Sequence, residues 1–177
     1  MKINYNQIHG APANVLDFGA DPTGVADSTG AIQAAINAIS NDGTVLVPPG
    51  TYKLTSGLTI SNGYGNRLVG IGKPTLNFTG LGATVDGITV VGANYAQSEL
   101  RNLTINMNSS GRDGVVIQAG DAPVWENIMA KNTVRDAYSF QPSGYQWISS
   151  GSFKQLRGQT VGRHGFRFYL SGSNGAF

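Results

Sequence analysis

Three strings in the second half of the chain fall into register when the sequence is laid on itself. Leu100-Arg101-Asn102-Leu103, Trp125-Glu126-Asn127-Ile128 and Phe153-Lys154-Gln155-Leu156 all read large apolar, charged, amide, aliphatic, with starts 25 and 28 residues apart. Each is followed by a second element: Arg112-Asp113-Gly114-Val115-Val116-Ile117, Arg135-Asp136-Ala137-Tyr138-Ser139-Phe140 and Arg163-His164-Gly165-Phe166-Arg167-Phe168, with starts 23 and 28 apart. A period in the twenties with two short strands per unit predicts stacked coils, because one such unit buries its apolar side chains only against its neighbours. Leucine-rich repeats share the period, but their L-x-x-L-x-L-x-x-N signature is only partly met by Leu100 to Met107 and is rejected. Apolar residues alternate within the strings (Leu103, Ile105, Met107; Leu76, Phe78; Ile88, Val90; Phe166, Phe168, Leu170), so one face is buried and the other is free. The residues from Thr44 onward suffice for about five coils at this period. Stacking would set Asn102, Asn127 and Gln155 about 4.8 Å apart, as a structural ladder of side-chain amides.

The first quarter of the chain carries a different signal. Val15 to Phe18 reads as a short extended run, followed by a Gly/Asp/Pro/Thr loop and then a helix with Ile32, Ala35, Ile36 and Ile39 on one face. Asp27 or Ser28 is the expected helix N-cap, and Asn41-Asp42-Gly43 the stop. Thr44 to Val47 is a β-branched strand that Pro48-Pro49-Gly50 turns sharply. Asp17-Phe18-Gly19-Ala20, Asp27-Ser28-Thr29, Ala31-Ile32-Gln33-Ala34-Ala35-Ile36 and Pro49-Gly50-Thr51-Tyr52 occur in that order. This segment resembles the N-terminal part of the pectate-lyase-like superfamily as found in bacteriophage tailspikes. The resemblance implies an all-β fold, a right-handed parallel β-helix with one N-terminal capping α-helix. It divides the chain into a short anchor (1–14), an opening strand, loop and capping helix (15–43), and coils (44–177). The fold does not fix the chemistry.

Composition narrows the class. The 25 glycines and 12% charged residues suit many short strands joined by tight turns and argue against disorder. Without cysteine there is neither a disulfide framework nor a thiolate metal site. No apolar run is long enough for a signal peptide or a membrane span, which suits synthesis in the bacterial cytoplasm and release by lysis. The net charge of +2 is uneven: from residue 101 on, eight Lys/Arg face four acids, and the first hundred residues carry the opposite balance. A basic half suits acidic polysaccharide or lipopolysaccharide phosphate.

The same stacking that aligns the amides aligns Arg112, Arg135 and Arg163, with Asp113, Asp136 and His164 beside them. Asp113 and Asp136 one rung apart would match the carboxylate pair of a retaining glycosidase, roughly 5 Å apart. The competing reading is that each aspartate caps its turn and pairs with a nearby arginine. For β-elimination, as the resemblance implies for lyases, Arg135 or Arg163 beside Asp136 is the candidate base. Arg112, Arg135, Arg163, Tyr145 and Trp147 are the candidate carbohydrate contacts, with Tyr138 and Tyr169 as further ring platforms or core residues. No metal site or cofactor is expected. Calcium would need an acidic cluster or metal-loop spacing that is not in the sequence, and His9 and His164 are too far apart to share an ion.

Taken with the resemblance, these features predict a phage tailspike fragment in the virion tail. Its N-terminus would seat on other tail or baseplate proteins, its coils would form a homotrimer, and the whole would bind and cleave bacterial surface polysaccharide or lipopolysaccharide. A non-catalytic adhesin and a bacterial pectate-lyase-like enzyme are the alternatives; nucleic acid and membrane spans are not expected. Ser171 to Phe177 follows a strand without an amphipathic cap, so a longer protein or a partner is expected there.

Overall fold

In the computed structural model, residues 11–62, 65–92, 97–142 and 148–169 are described. The chain winds into five stacked coils of a right-handed parallel β-helix plugged at one end by a helix. A two-residue strand, β1 (Ala13–Asn14), precedes a tight turn at Val15–Phe18 and helix α1 (Thr29–Ala38). The first coil holds β2 (Thr44–Val47), β3 (Thr51–Leu54) and β4 (Leu58–Asn62), and the second β5 (Asn66–Gly70), β6 (Thr75–Phe78) and β7 (Ile88–Gly92). The third has a long bent strand, β8 (Ser98–Asn106), then β9 (Val115–Ile117). After β10 (Gly120–Asp121), the fourth repeats this with β11 (Val124–Thr133) and β12 (Tyr138–Phe140). After β13 (Ile148–Ser149), the fifth has β14 (Ser152–Val161) and β15 (Phe166–Phe168).

Among the described residues every strand pairing between coils is parallel, and the coils present three faces. The first face runs β1-β2-β5 and on through the leading halves of β8, β11 and β14; the second runs β3-β6 and through their trailing halves; the third runs β4-β7-β9-β12-β15. The registers are those the repeat predicts: Leu100 faces Trp125, which faces Phe153, and Val115 faces Tyr138, which faces Phe166. The inward column of Leu68, Leu76, Ile88, Leu103, Ile105, Val115, Ile128 and Tyr138 is buried. Phe166 and Phe168 also continue the inward column and stack on Tyr138 and Phe140 at 5.0 and 4.5 Å, yet are 45% and 68% exposed on the fifth coil. Leu170 and residues 171–177 lie outside the described residues.

What bends β8 and β11 is the amide column. Asn102, Asn127 and Gln155 sit at φ 56°, 54° and 51°, the left-handed region that asparagine tolerates better than most residues. Asn127 Nδ2 donates to Asn102 Oδ1 (3.0 Å), and Lys73 Nζ donates to Asn127 Oδ1 (3.1 Å). Gln155 continues the left-handed turn with its side chain exposed. A second amide column, not foreseen from the sequence, runs along the second face. Asn106 donates to Asn77 (2.8 Å) and Asn132 to Asn106 (2.7 Å).

The opening motif has a local explanation. The Asp21 carboxylate accepts from the Thr23 hydroxyl (2.7 Å) and from the amides of Ala26 (2.7 Å), Thr23 (2.9 Å) and Val25 (3.1 Å). Those bonds hold it at a pKa of about 2. Thr51 N–H donates to Pro22 O (2.9 Å), and a Cβ on Gly50 would come within 2.7 Å of that same oxygen, so the Pro-Gly-Thr-Tyr turn needs its glycine. Tyr52 is fully buried, and its hydroxyl donates back to Pro48 O (3.0 Å).

Val15–Phe18 is a 3-10 turn and not the extended run that its apolar residues suggest. Asn14 Oδ1 accepts the Leu16 N–H (3.0 Å), and Gly19 at φ 92° closes the turn. Ser28 occupies the N-cap position of α1, but its hydroxyl accepts the Asp21 N–H, and the Asp27 carboxylate receives Thr29 N–H (3.0 Å). Ile32, Ala35 and Ile36 are buried under the first coil, while Ile39 lies just past the helix in extended backbone and packs on the same core. No helix among the described residues is long and apolar enough to cross a membrane.

Replacing Asn127 by Ala removes two amide hydrogen bonds and forces a Cβ residue without a local hydrogen bond into left-handed backbone, a loss of about 2 kcal/mol. Asn127→Gly should recover the backbone part of that loss, about 1 kcal/mol. Urea unfolding of the two variants tests this; equal destabilisation by both would assign the whole cost to the side-chain bonds.

Candidate functional site

Between the second and third faces each coil makes a short turn, and the turns stack into a column of carboxylates and guanidinium groups. The third-face registers place Asp113, Asp136 and His164 at equivalent positions, with Arg112, Arg135 and Arg163 one residue earlier. One coil below, Asp86 is in the same place, because Ile88 faces Val115. The sequence signal for Asp86 was its Asp-Gly before an alternating strand, weakened by the valine that stands where later coils have arginine.

The column is staggered, each carboxylate serving the coil above it. Asp86 receives a two-pronged contact from Arg112, with Nε to Oδ1 at 2.8 Å and Nη2 to Oδ2 at 2.5 Å, and its Oδ1 also accepts the Asp113 N–H (3.1 Å). Asp113 Oδ1 accepts the Asp136 N–H (3.1 Å) and lies 3.3 Å from Arg135 Nε. Asp136 takes Arg163 Nη2 at 2.9 Å and Arg167 Nη1 at 3.5 Å on Oδ2, and His164 Nδ1 at 2.9 Å on Oδ1. Gln141 Nε2 reaches Asp113 Oδ2 (3.4 Å) and donates to Ser139 Oγ (2.7 Å). Arg135 Nη2 donates to Tyr169 OH (2.9 Å), and the Arg167 guanidinium lies 3.9 Å above the Tyr169 ring.

Close approach of the turns sets the residue after the aspartate. A Cβ on Gly87 would lie 2.7 Å from Gly114 O, and one on Gly114 would lie 2.7 Å from Ala137 O. Asp113 and Asp136 are both fully buried, but they differ electrostatically. Burial, together with the charges of Asp86 and Asp136, raises the Asp113 carboxyl above its ordinary range, with Arg135 and the Asp136 amide opposing. For Asp136, burial also pushes upward, but hydrogen bonds from His164 and Arg163 and the charges of Arg163 and Arg167 outweigh it and hold the carboxyl low. An ionised carboxylate only accepts, so the His164 proton facing it is on Nδ1 and Nε2 is left as the free ring position. The His164 side chain is 56% exposed.

The structure therefore brings Arg112, Arg135, Arg163, Asp113, Asp136 and His164 into one column and adds Asp86, Arg167 and Tyr169. Tyr138 is in the core, fully buried, its hydroxyl 2.9 Å from Ile128 O. Asn102 and Asn127 belong to the bend between the first and second faces, apart from this column. Tyr145 and Trp147 lie outside the described residues. Among the described residues no three His, Asp or Glu side chains are grouped to hold a metal ion.

Residues 13–97 match the family model "Rhamnogalacturonase A/epimerase, pectate lyase-like". The mannuronan C5-epimerase AlgE2 of Azotobacter vinelandii is 34% identical over 115 residues, which cover 58% of this chain and 12% of that enzyme. Of solved structures, ORF18 of Geobacillus virus E2 superposes with a TM-score of 0.66 at 26% identity, covering 72% of this chain and 27% of that one. The A-module of the A. vinelandii mannuronan C-5 epimerase AlgE4 superposes with a TM-score of 0.63 at 21% identity, covering 88% and 53%, a likeness of fold alone. The chain spans only a small part of the first two relatives.

The opposite pKa directions predict opposite behaviour of two conservative variants. Asp136 is held below its ordinary value of 3.8, so its contribution is present above that pH and disappears as pH falls through the lowered value. Asp136→Asn should cost about 2 kcal/mol near neutrality and little in acid. Asp113 is raised, so its carboxyl favours folding at acid pH and loses that contribution as pH rises through the elevated value. Asp113→Asn keeps an oxygen for the Asp136 amide and should stay within about 1 kcal/mol of the parent near neutrality. Denaturant unfolding from about pH 2 to 7 reads both; a larger neutral-pH loss for Asp113→Asn than for Asp136→Asn would refute the assignment.

Proposed function

We propose that this chain is the N-terminal stretch of a phage tailspike or similar receptor-binding protein, whose β-helix engages, and in the whole protein cleaves, bacterial surface polysaccharide. One observation carries the reading: a helix-plugged stack of parallel coils whose opening part matches a pectate-lyase-like family and whose fold superposes on a viral protein. The sequence likeness to a mannuronan epimerase supports an acidic polysaccharide. The resemblance to tailspikes supports a parallel homotrimer seated on other tail proteins through the N-terminus.

Within the turn column, the lower coils serve as scaffold. Asp86, Asp113 and Asp136 bond the backbone or arginines of the coil above and are buried, Asp113 and Asp136 completely. The fifth coil is where chemistry is accessible. Asp136 orients His164, the exposed Nε2 is placed as a proton acceptor, and Arg163 and Arg167 supply positive charge for a carboxylate beside it. The burial of all three aspartates also favours the second reading, a non-catalytic adhesin that uses this column only to hold its shape.

Incubating the protein with capsule and lipopolysaccharide of its host tests the enzyme reading. New reducing ends or the absorbance of unsaturated uronates are expected, and His164→Ala should lower the rate by about 100-fold or more if His164 is the base. Binding without cleavage would leave the adhesin, and full activity in His164→Ala would remove the histidine from the chemistry. Light scattering reads the trimer.

A further inference from the structure

Positive charge on this chain is mostly neutralised where it occurs. On the first face Arg67 pairs with Glu99 at 3.3 Å, and Arg101 is paired with both Glu99 and Glu126. In the turn column four guanidinium groups meet three carboxylates. The second face is different. Its central outward column runs Lys53, Asn77, Asn106, Lys131, Gln159, each facing the next in register, and the neighbouring column runs Thr51, Thr75, Thr104, Met129, Arg157. From the second coil to the fifth neither column contains a carboxylate. Asp27 sits at the foot, its backbone paired with that of Lys53 in an isolated parallel β-bridge and its carboxylate oxygens turned onto Thr29 and Thr55. Lys53, Lys131 and Arg157 form no ion pair among the described residues.

We propose that this second face is a binding track for a linear acidic glycan laid along the axis of the stack. Five coils at the strand spacing give a straight run of about 19 Å. Asn77 and Asn106 are already fixed by amide-to-amide hydrogen bonds, so they are ordered before a ligand arrives. An amide column beside threonine hydroxyls offers donors and acceptors to sugar hydroxyls, and the separated cations suit carboxylate or sulfate groups spaced along a chain. Duplex DNA carries a charge about every 1.7 Å, far denser than three cations over this length, and neither column holds an aromatic ring on which unpaired bases could stack. The inference rests on the polysaccharide reading for the class of polymer; the position of the track rests on its own charges. The face is distinct from the turn column with Asp136 and His164.

Calorimetric titration of the chain with polygalacturonate, heparin, neutral dextran and duplex DNA, at about 50 mM and 200 mM salt, tests the track. Binding of polygalacturonate or heparin that weakens with salt is expected, with none to dextran. The double variant Lys131→Glu/Arg157→Glu should weaken that binding by about ten-fold or more, with unchanged melting, whereas Lys154→Glu on the first face should not. Lys131→Gln/Arg157→Gln, which adds no new charge, should give an intermediate loss. Binding of neither acidic glycan, or equally tight binding of DNA, overturns the proposal. So does glycan binding that survives charge reversal here but is abolished by Arg163→Ala/Arg167→Ala; that result would leave the polysaccharide reading standing and move the glycan to the turn column.

Discussion

In a stack of coils, no coil can satisfy its own backbone. Each strand's N–H and C=O groups point along the axis, so every hydrogen bond that a globular sheet distributes among hairpins is here made with the coil above or below. The spacing this imposes, about 4.8 Å, applies to the turns as strictly as to the strands. Turns are where the obligation is hardest to meet, because their amides do not all face a carbonyl. In the turn before the third face the problem is solved by side chains: the amides of Asp113 and Asp136 each donate to the carboxylate one coil below. The remaining features of that turn follow. A carboxylate fully buried at that position needs a cation, which the arginine one residue earlier on the next coil supplies. The close approach of successive turns excludes a Cβ at Gly87 and Gly114.

This dependence explains what could be read from the sequence. Registration of Leu100, Trp125 and Phe153 was legible because inward positions must be apolar and their neighbours are a fixed number of residues away. The equivalence of Asn102, Asn127 and Gln155 was legible because an amide recurs at the same place in each repeat; the left-handed backbone they share came only with the structure. Asp86 was not, since the valine before it breaks the Arg-Asp pair. The Asn77, Asn106 and Asn132 column was also hidden: its members do not occupy one register position, Asn106 facing Lys131 while it bonds Asn132. Val15–Phe18 misled because an apolar tetrapeptide says nothing about the side chain of Asn14, whose bond to the Leu16 amide favours a turn. The repeat placed His164 beside the column, but its bond to Asp136, 28 residues away, depends on the stagger of one coil on the next, which spacing alone does not reveal.

The three faces divide the chemistry. The first carries mostly paired charge, the second unpaired cations among amides and hydroxyls, and the third lies beside a buried ionic column. Within that column, two aspartates in equivalent positions are shifted in opposite directions because of what surrounds them: Asp113 sits between two other carboxylates, whereas Asp136 is met by three arginines and a histidine. A resemblance of sequence identified the scaffold and its capped beginning; the division of labour became visible only with the coils in place.

The central claim, that the aspartate turns are bonds between coils and not open catalytic loops, is tested most directly by native-state hydrogen exchange of the Asp113 and Asp136 backbone amides. They should exchange as slowly as the strand amides of Val115 and Tyr138, opening only when neighbouring coils separate. Exchange at the rate of exposed loop amides while those strands remain protected would contradict it.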